Sequence, residues 1–415
     1  MRGQPFPDFA EFIIGPAHRV RPLAGPMASS GRTRWFHPGY SEPGRRAVSL
    51  SLRADEKGIL PDRLIATLVK TGAVILAGAL DDDQIQPASI DLRLGEIAYR
   101  VRGSFLPGPE STVGERIDEL KLHEIPLGDG AVLETGCVYI VPLMESLSLP
   151  PDIAASANPK SSTGRLDVFT RVIADHTRGF DRVNAGYHGP LYAEISPRTF
   201  PVLVREGSRL SQLRFRRGHA VLMDETLAAL HRRERLVDSE APDLSDGVPV
   251  GVDLVGFGPD KFIGYRAKRH TGVIDVDRRA SYDIGEFWEP IRARHDRSLI
   301  LDPDEFYILA SKEAVQVPPD YAAEMVPFDP LVGEFRVHYA GFFDPGFGYA
   351  GAGGRGSRAV LEVRSHEVPF IIEHGQIVGR LVYEHMLARP DALYGRSIGS
   401  NYQAQGLKLS KHFRG

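Results

Sequence analysis

The feature that most limits how this chain folds is that much of it is written twice. Tyr139-Ile140 matches Tyr307-Ile308, Pro150-Pro151-Asp152 matches Pro318-Pro319-Asp320, and Ala154-Ala155 matches Ala322-Ala323, all at a spacing of 168 residues. Glu194 and Glu362, Pro201 and Pro369, Gly207 and Gly375, and Leu213 and Leu381 keep the same spacing. Asn184-Ala185-Gly186 pairs with Asp344-Pro345-Gly346 at 160, so loops of unequal length flank that turn. Upstream, Ser89-Ile90-Asp91-Leu92 parallels Gly251-Val252-Asp253-Leu254. Co-linear matches of this kind mean one folding unit present in two copies. They predict a first copy over 55–220, a linker over 221–244, a second copy over 245–390 and a tail over 391–415.

Each copy reads as mainly β. Short apolar runs punctuated by Gly and Pro predict strands over Ile90–Leu94, Val138–Pro142, Tyr192–Ile195, Pro201–Val204 and Leu210–Phe215. Helices are few. Leu64, Ile65, Leu68 and Val69 share one helical face between Pro61 and Gly72, a start and a stop signal. The Leu/Ala/Arg/Glu-rich run 222–236 predicts a second helix, inside the linker. Residues 1–54 are rich in Pro, Gly, Ser and Arg without a sustained period and are expected to be a flexible extension, with Met27 an alternative start.

Lys and Arg number 50 against 54 Asp and Glu, a net charge of −4, which argues against a nucleic-acid binder with its basic face. Cys137 is the only cysteine, so no intramolecular disulfide forms, as suits a reducing cytoplasm. A Cys-rich zinc site is excluded with it, including the H-x-E…P-C-x-x-C site of zinc-dependent base deaminases. No H-E-x-x-H occurs: His366-Glu367-Val368-Pro369-Phe370 has Phe where the second ligand belongs. No metal site in the protein and no membrane partner are therefore expected, since no apolar run approaches the ~18 residues of a spanning helix.

Three segments carry chemistry. Asn158-Pro159-Lys160-Ser161-Ser162-Thr163-Gly164-Arg165-Leu166 combines two cations, hydroxyl donors and a glycine, which suits a phosphate chain; alone it also fits a polar surface turn. Arg165, beside two hydroxyls in such a turn, has little core to support and is expected to serve a ligand rather than the fold. Gly186-Tyr187-His188-Gly189-Pro190-Leu191-Tyr192-Ala193-Glu194 runs a turn into an apolar strand with one carboxylate, repeated at Glu362. A desolvated Glu has a raised pKa and suits acid–base work, although a Glu on a solvated strand face gives the same pattern. The tail offers Tyr394 and Asn401-Tyr402-Gln403-Ala404-Gln405-Gly406, groups that could close over a nucleotide or simply fray. The Gly-rich run 346–358 lacks G-K-[ST] and reads as a hairpin tip, and His176 and His188 read as hydrogen-bonding surface residues.

Taken in order, these pieces resemble the dCTP deaminase family of the dUTPase-like superfamily. Gln86-Pro87-Ala88-Ser89-Ile90-Asp91-Leu92-Arg93-Leu94-Gly95 resembles its amino-terminal strand, and Lys160-Ser161-Ser162-x-x-Arg165-Leu166 its phosphate motif. Gly186-Tyr187-x-Gly189-x-Leu191-x-x-Glu194 resembles the turn before its catalytic Glu, Gly207-x-x-Leu210-x-Gln212-Leu213 its closing strand, and Tyr402-x-x-Gln405 its nucleotide-covering tail. The resemblance spans about residue 58 to the end and implies two tandem dUTPase-like repeats, each a distorted β-barrel or jelly-roll-like unit, in a homo-oligomer that is normally a trimer. It implies hydrolysis of dCTP to dUTP and ammonia by a Glu-activated water, with Mg²⁺ accompanying the triphosphate and no zinc. Lys160, Ser161, Ser162, Arg165, Asn184, Asp344, Tyr394, Tyr402 and Gln405 would bind substrate. Glu362, Glu194, Arg165 and Ser161 are the catalytic candidates.

The sequence also departs from the family. The first copy has Asn184-Ala185-Gly186 for Asp-Pro-Gly and an insertion around His176–Arg182; the family's tail Lys falls at Asn401. The second copy keeps Asp344-Pro345-Gly346 and Glu362 but has Asp329 and Gly333 where the phosphate cluster would lie. Complementary loss predicts one composite site: Glu362 as the base, Asp344 on the sugar, and Ser161, Ser162 and Arg165 arriving across an interface. In the competing arrangement Glu194 is the working base and the second copy is structural. Alternative functions are a dUTP diphosphatase, a bifunctional deaminase giving dUMP, and a non-catalytic nucleotide-binding regulator.

Overall fold

A computed structural model describes residues 56–327, 335–338, 341–352, 355–365, 367–395, 398–399 and 406–414. Tyr402, Gln405, Asn401 and the extension 1–54 lie outside them. Helix α1 (Asp62–Lys70) buries Ile65 and Leu68 and ends where the C-cap N–H turns back onto Thr67 and Val69. The first half then runs through β1 (Ser89–Arg93), β2 (Ile97–Val101), β3 (Lys121–Pro126), β4 (Ala131–Leu133), β5 (Val138–Ser148) and β6 (Ile153–Pro159). The single turn α2 (Ser161–Gly164) leads to β7 (Val168–Ala174), β8 (His188–Pro197), β9 (Val202–Val204) and β10 (Arg209–Arg217). Helix α3 (Asp224–Glu234) follows.

The second half contains β11 (Val248–Gly251), β12 (Phe262–Ala267), β13 (Ile274–Asp275), β14 (Trp288–Arg292), β15 (Ser298–Leu301) and β16 (Phe306–Val315). It continues with β17 (Tyr321–Pro327), β18 (Phe335–His338), β19 (Ser357–Ser365), β20 (Phe370–Glu373), β21 (Ile377–His385) and β22 (Phe413–Arg414).

The strand orders of the halves match. β7-β8-β5-β2-β3 in one is β18-β19-β16-β12-β14 in the other, β6-β10-β1 is β17-β21-β11, and β9-β4 is β20-β15. These pairings are antiparallel, which accommodates the short connections. β8 and β19 each lie between two partners in their sheets and are buried on both faces over most of their length, so a carboxylate on either is desolvated.

Each half has a main core, and the first half also holds a smaller separate cluster around Tyr99, Ile117 and Tyr192. Leu227 and Leu230 of α3 pack into the main core of the second, so the helix expected within the linker is part of that core. The first core extends into the second half: Phe200 meets Phe287 and Trp288 edge-on at 5.7 and 5.4 Å. β13 adds in parallel to β9, a strand of the second half completing a sheet of the first. Strands expected to stop early run on. Pro142 does not end β5, because its carbonyl still accepts the Gly95 N–H at 2.8 Å. Among the described residues no helix is long and apolar enough to cross a membrane.

Candidate active site

The phosphate-like motif begins with Lys160 in extended conformation (φ −66°, ψ 145°). The chain then folds over: the N–H groups of Thr163 and Gly164 both donate to the Lys160 carbonyl, at 2.8 and 3.0 Å. Asp167, at φ +55°, ends the turn. Its buried carboxylate accepts from Thr199 Oγ1 at 2.6 Å and from Arg364 of β19, tying the turn to the second half. Ser161 is exposed and Ser162 buried.

Arg165 is not the surface residue expected of a polar turn. It is 4% exposed, because the second half covers it. Its Nη1 donates to the Lys408 carbonyl at 3.0 Å and its Nε lies 3.8 Å from Glu362 Oε1. Glu362 is 6% exposed. Burial pushes its carboxyl up to about 8, with the Arg165 guanidinium holding it partly down. A guanidinium from one copy and a near-neutral carboxyl from the other therefore form one pair.

Glu194 sits differently. Register places Arg171 of β7 directly opposite it, and that guanidinium bonds its carboxylate, Nε to Oε1 at 3.1 Å. Arg171 also donates to Ser104 and lies 3.4 Å over the Phe180 ring. In the second copy the residue opposite Glu362 is His338.

Around the motif, Lys160 pairs with buried Asp91, and Arg209 approaches the same carboxylate at 3.6 Å. Burial, then Lys160 and Arg279, pushes the Lys411 ammonium down to about 8. Asp344 accepts from Arg214 Nη2 at 3.3 Å; burial raises its carboxyl, which also feels Asp91 and Lys160. Arg214 crosses from β10 into the second half, where Glu384 (3.4 Å) and the Ala323 carbonyl (3.1 Å) also receive it. The Tyr394 N–H donates to the Pro345 carbonyl at 2.9 Å, setting the tail beside the Asp344 turn.

Of the sequence candidates, Lys160, Ser161, Ser162, Arg165 and Glu362 thus gather about the α2 turn, and Asp344 and Tyr394 form an adjoining group. Asn184 is on an exposed turn of the first copy and, among the described residues, has no contact with the Arg165–Glu362 pair. His176 and His188 hydrogen-bond to the Pro109 carbonyl and Ser148 Oγ. Arg171, Arg214 and Lys411 were not foreseen. Arg214 carried a signal, since the matching position of the second copy is Val382: a charge present in one copy alone marks a contact the other lacks.

Comparison with known proteins identifies the family. Residues 56–219 match the model of the 2'-deoxycytidine 5'-triphosphate deaminase N-terminal domain and residues 223–413 that of its C-terminal domain. The crystal structure of 2'-deoxycytidine 5'-triphosphate deaminase from Agrobacterium tumefaciens superposes with a TM-score of 0.80 at 64% identity, covering 83% of this chain and 100% of that one. The dCTP deaminase of Halorubrum lacusprofundi is 32% identical over 160 residues, 38% of this chain and 76% of its own. The dUMP-forming dCTP deaminase of Methanobrevibacter smithii is 28% identical over 162 residues, 38% of this chain and 79% of its own. The class these features define is a mainly β nucleotide deaminase. The chain belongs to the 2'-deoxycytidine 5'-triphosphate deaminase family.

Proposed function

We infer that the chain is a dCTP deaminase, which hydrolyses the C4 amino group of dCTP to give dUTP and ammonia. One observation carries the assignment of roles: Arg165 of the first copy lies 3.8 Å from buried Glu362 of the second. Glu362 takes a proton from water as the water oxygen adds to C4, and returns it to the ring nitrogen N3. It then moves the proton of the new hydroxyl to the amino nitrogen. The C4–N bond breaks, ammonia leaves, and the C4 carbonyl forms. A carboxyl whose affinity lies near pH 8 can both accept and release a proton under ordinary conditions. Arg165 steadies the carboxylate when it is ionised.

In this reading Lys160, Ser161 and Ser162 hold the phosphates, Asp344 the sugar, and Tyr394, Tyr402 and Gln405 cover the nucleotide. Mg²⁺ arrives on the triphosphate as part of the substrate, and the route uses no zinc. Asn184 and Glu194 belong to a second, vestigial site, where Arg171 grips the Glu194 carboxylate through Oε1 and Oε2 alone lacks a hydrogen-bond partner among the described residues. The matched strand orders support reading each half as a dUTPase-like distorted barrel, the chain assembling as a homo-oligomer, a trimer by family resemblance.

Two variants test the roles, each checked for fold and dCTP binding. Glu362→Gln is expected to abolish ammonia release and Glu194→Gln to spare most of it. The reverse pattern would transfer catalysis to the first copy.

A further inference from the structure

We propose that the carboxyl-terminal segment 407–414 is a strap that sets Arg165 against Glu362, with Ser410 its positioning residue. The proposal rests on the composite site described above.

The segment is anchored at its far end. Phe413 and Arg414 pair in parallel with Tyr282 and Asp283, and the Phe413 ring lies 5.9 Å from Trp288 and 5.5 Å from Phe287. Leu409 is buried in the first core. Between these anchors the segment grips the α2 turn twice. The Lys408 carbonyl accepts from Arg165 Nη1 at 3.0 Å, and Ser410 Oγ donates to the Ser162 carbonyl at 2.8 Å. Lys408 grips with its backbone and Ser410 with its side chain. His412, kept neutral by burial, donates its Nε2 proton to the Val276 carbonyl at 2.9 Å, so the single Ser410 hydroxyl proton is shared between the Ser162 carbonyl and His412 Nδ1, each 2.8 Å away.

A guanidinium on a long stem has many rotamers to lose. The Lys408 carbonyl restricts Arg165 to those that approach Glu362, and Ser410 fixes where that carbonyl stands. Neither group of the strap reaches the reacting atoms in this arrangement. Among the described residues Arg165 is the charged group that acts on Glu362; Arg364, two residues along the same strand, is held by Asp167, and Lys411 is set among Lys160, Asp91, Asp277 and Arg279.

Ser410→Ala, Ser410→Thr and Glu362→Gln in the full chain provide the test. Ser410→Ala is expected to melt near the parental temperature but to lose about tenfold in kcat. The low-pH limb of its kcat/KM profile should move to higher pH, because Arg165 no longer holds the Glu362 carboxyl down. Ser410→Thr keeps the hydroxyl and should keep parental kinetics. If Ser410→Ala does not fold, the near-isosteric Ser410→Cys takes its place. Parental kcat and an unmoved limb in the folded variant would overturn the strap. If Glu362→Gln is then inactive, the composite site stands and the strap alone has failed; if Glu362→Gln still turns over, the composite site has failed.

Discussion

Glu194 and Glu362 occupy matched positions in the two copies, yet Arg171 lies opposite one and His338 opposite the other. Arg171 fixes Glu194 in an ion pair, whereas the proton affinity of Glu362 is set chiefly by lost hydration. The second condition works against the fold. Folded Glu362 holds its proton to about pH 8, whereas an unfolded Glu releases it near 4.5. The folded state therefore binds more protons in that window, and stability falls as pH rises through it. The full loss is present above pH 8 and is on the order of 5 kcal/mol. Gln cannot ionise, so Glu362→Gln is expected to melt higher than the parent at pH 9 and near it at pH 4. A melting difference that is the same at both pH values would contradict the raised affinity.

At the scale of elements, the Asp344 turn shows why some positions admit one residue type. Gly346 has φ +98°, and a Cβ there would lie 2.8 Å from the Tyr394 carbonyl oxygen. Backbone meets backbone, so nothing yields easily. Gly346→Ala is expected to destabilise by ~2–3 kcal/mol and to raise KM for dCTP, as Asp344 and Tyr394 move apart. Gly207, at φ +83° with nothing within 4 Å of its Cβ direction, is the control: Gly207→Ala meets the dihedral strain without the clash. Thermal melts and KM of both variants check this. Much of this layer was legible from local pattern. Val138 starts its strand as expected, and the helices predicted near 62 and 222–236 appear as Asp62–Lys70 and Asp224–Glu234. Strand ends were not. β10 runs over Arg209–Arg217 although Arg209 and Arg217 read as polar flanks; Asp83 and Asp152 receive them at 2.7 and 2.6 Å. Likewise Ser161, Ser162 and Glu362 were legible as motif and repeat. The burial of Arg165 was not, since Lys408 and Glu362 are remote in sequence and no local period announces them.

At the scale of the molecule, the copies have diverged toward each other. Arg214 and Arg216 of the first copy match Val382 and Glu384 of the second, and Ser156 matches Glu324. Arg214 reaches Asp344 and Glu384, while Arg205 bonds Asp275 at 2.8 Å and Ser208 Oγ bonds Asp277 at 2.7 Å. Cations of the first half meet acids of the second, while Asp167 meets Arg364 in the opposite sense, so the first copy is complementary to the second rather than to itself. The junction is a contact of unlike surfaces within one polypeptide, and Arg165 and Glu362 come together at it in cis. This has a genetic consequence. Where a site forms between separate identical subunits, a chain lacking one half can be rescued by a chain lacking the other. Here each chain carries both halves of its own site. Arg165→Ala and Glu362→Gln chains, co-expressed or unfolded and refolded together, are expected to yield no more ammonia from dCTP than either alone. Recovered turnover would mean that the guanidinium and the carboxyl are supplied by different chains. Two such alleles in one cell should fail to complement, so a defect in either copy behaves as a defect in the whole gene.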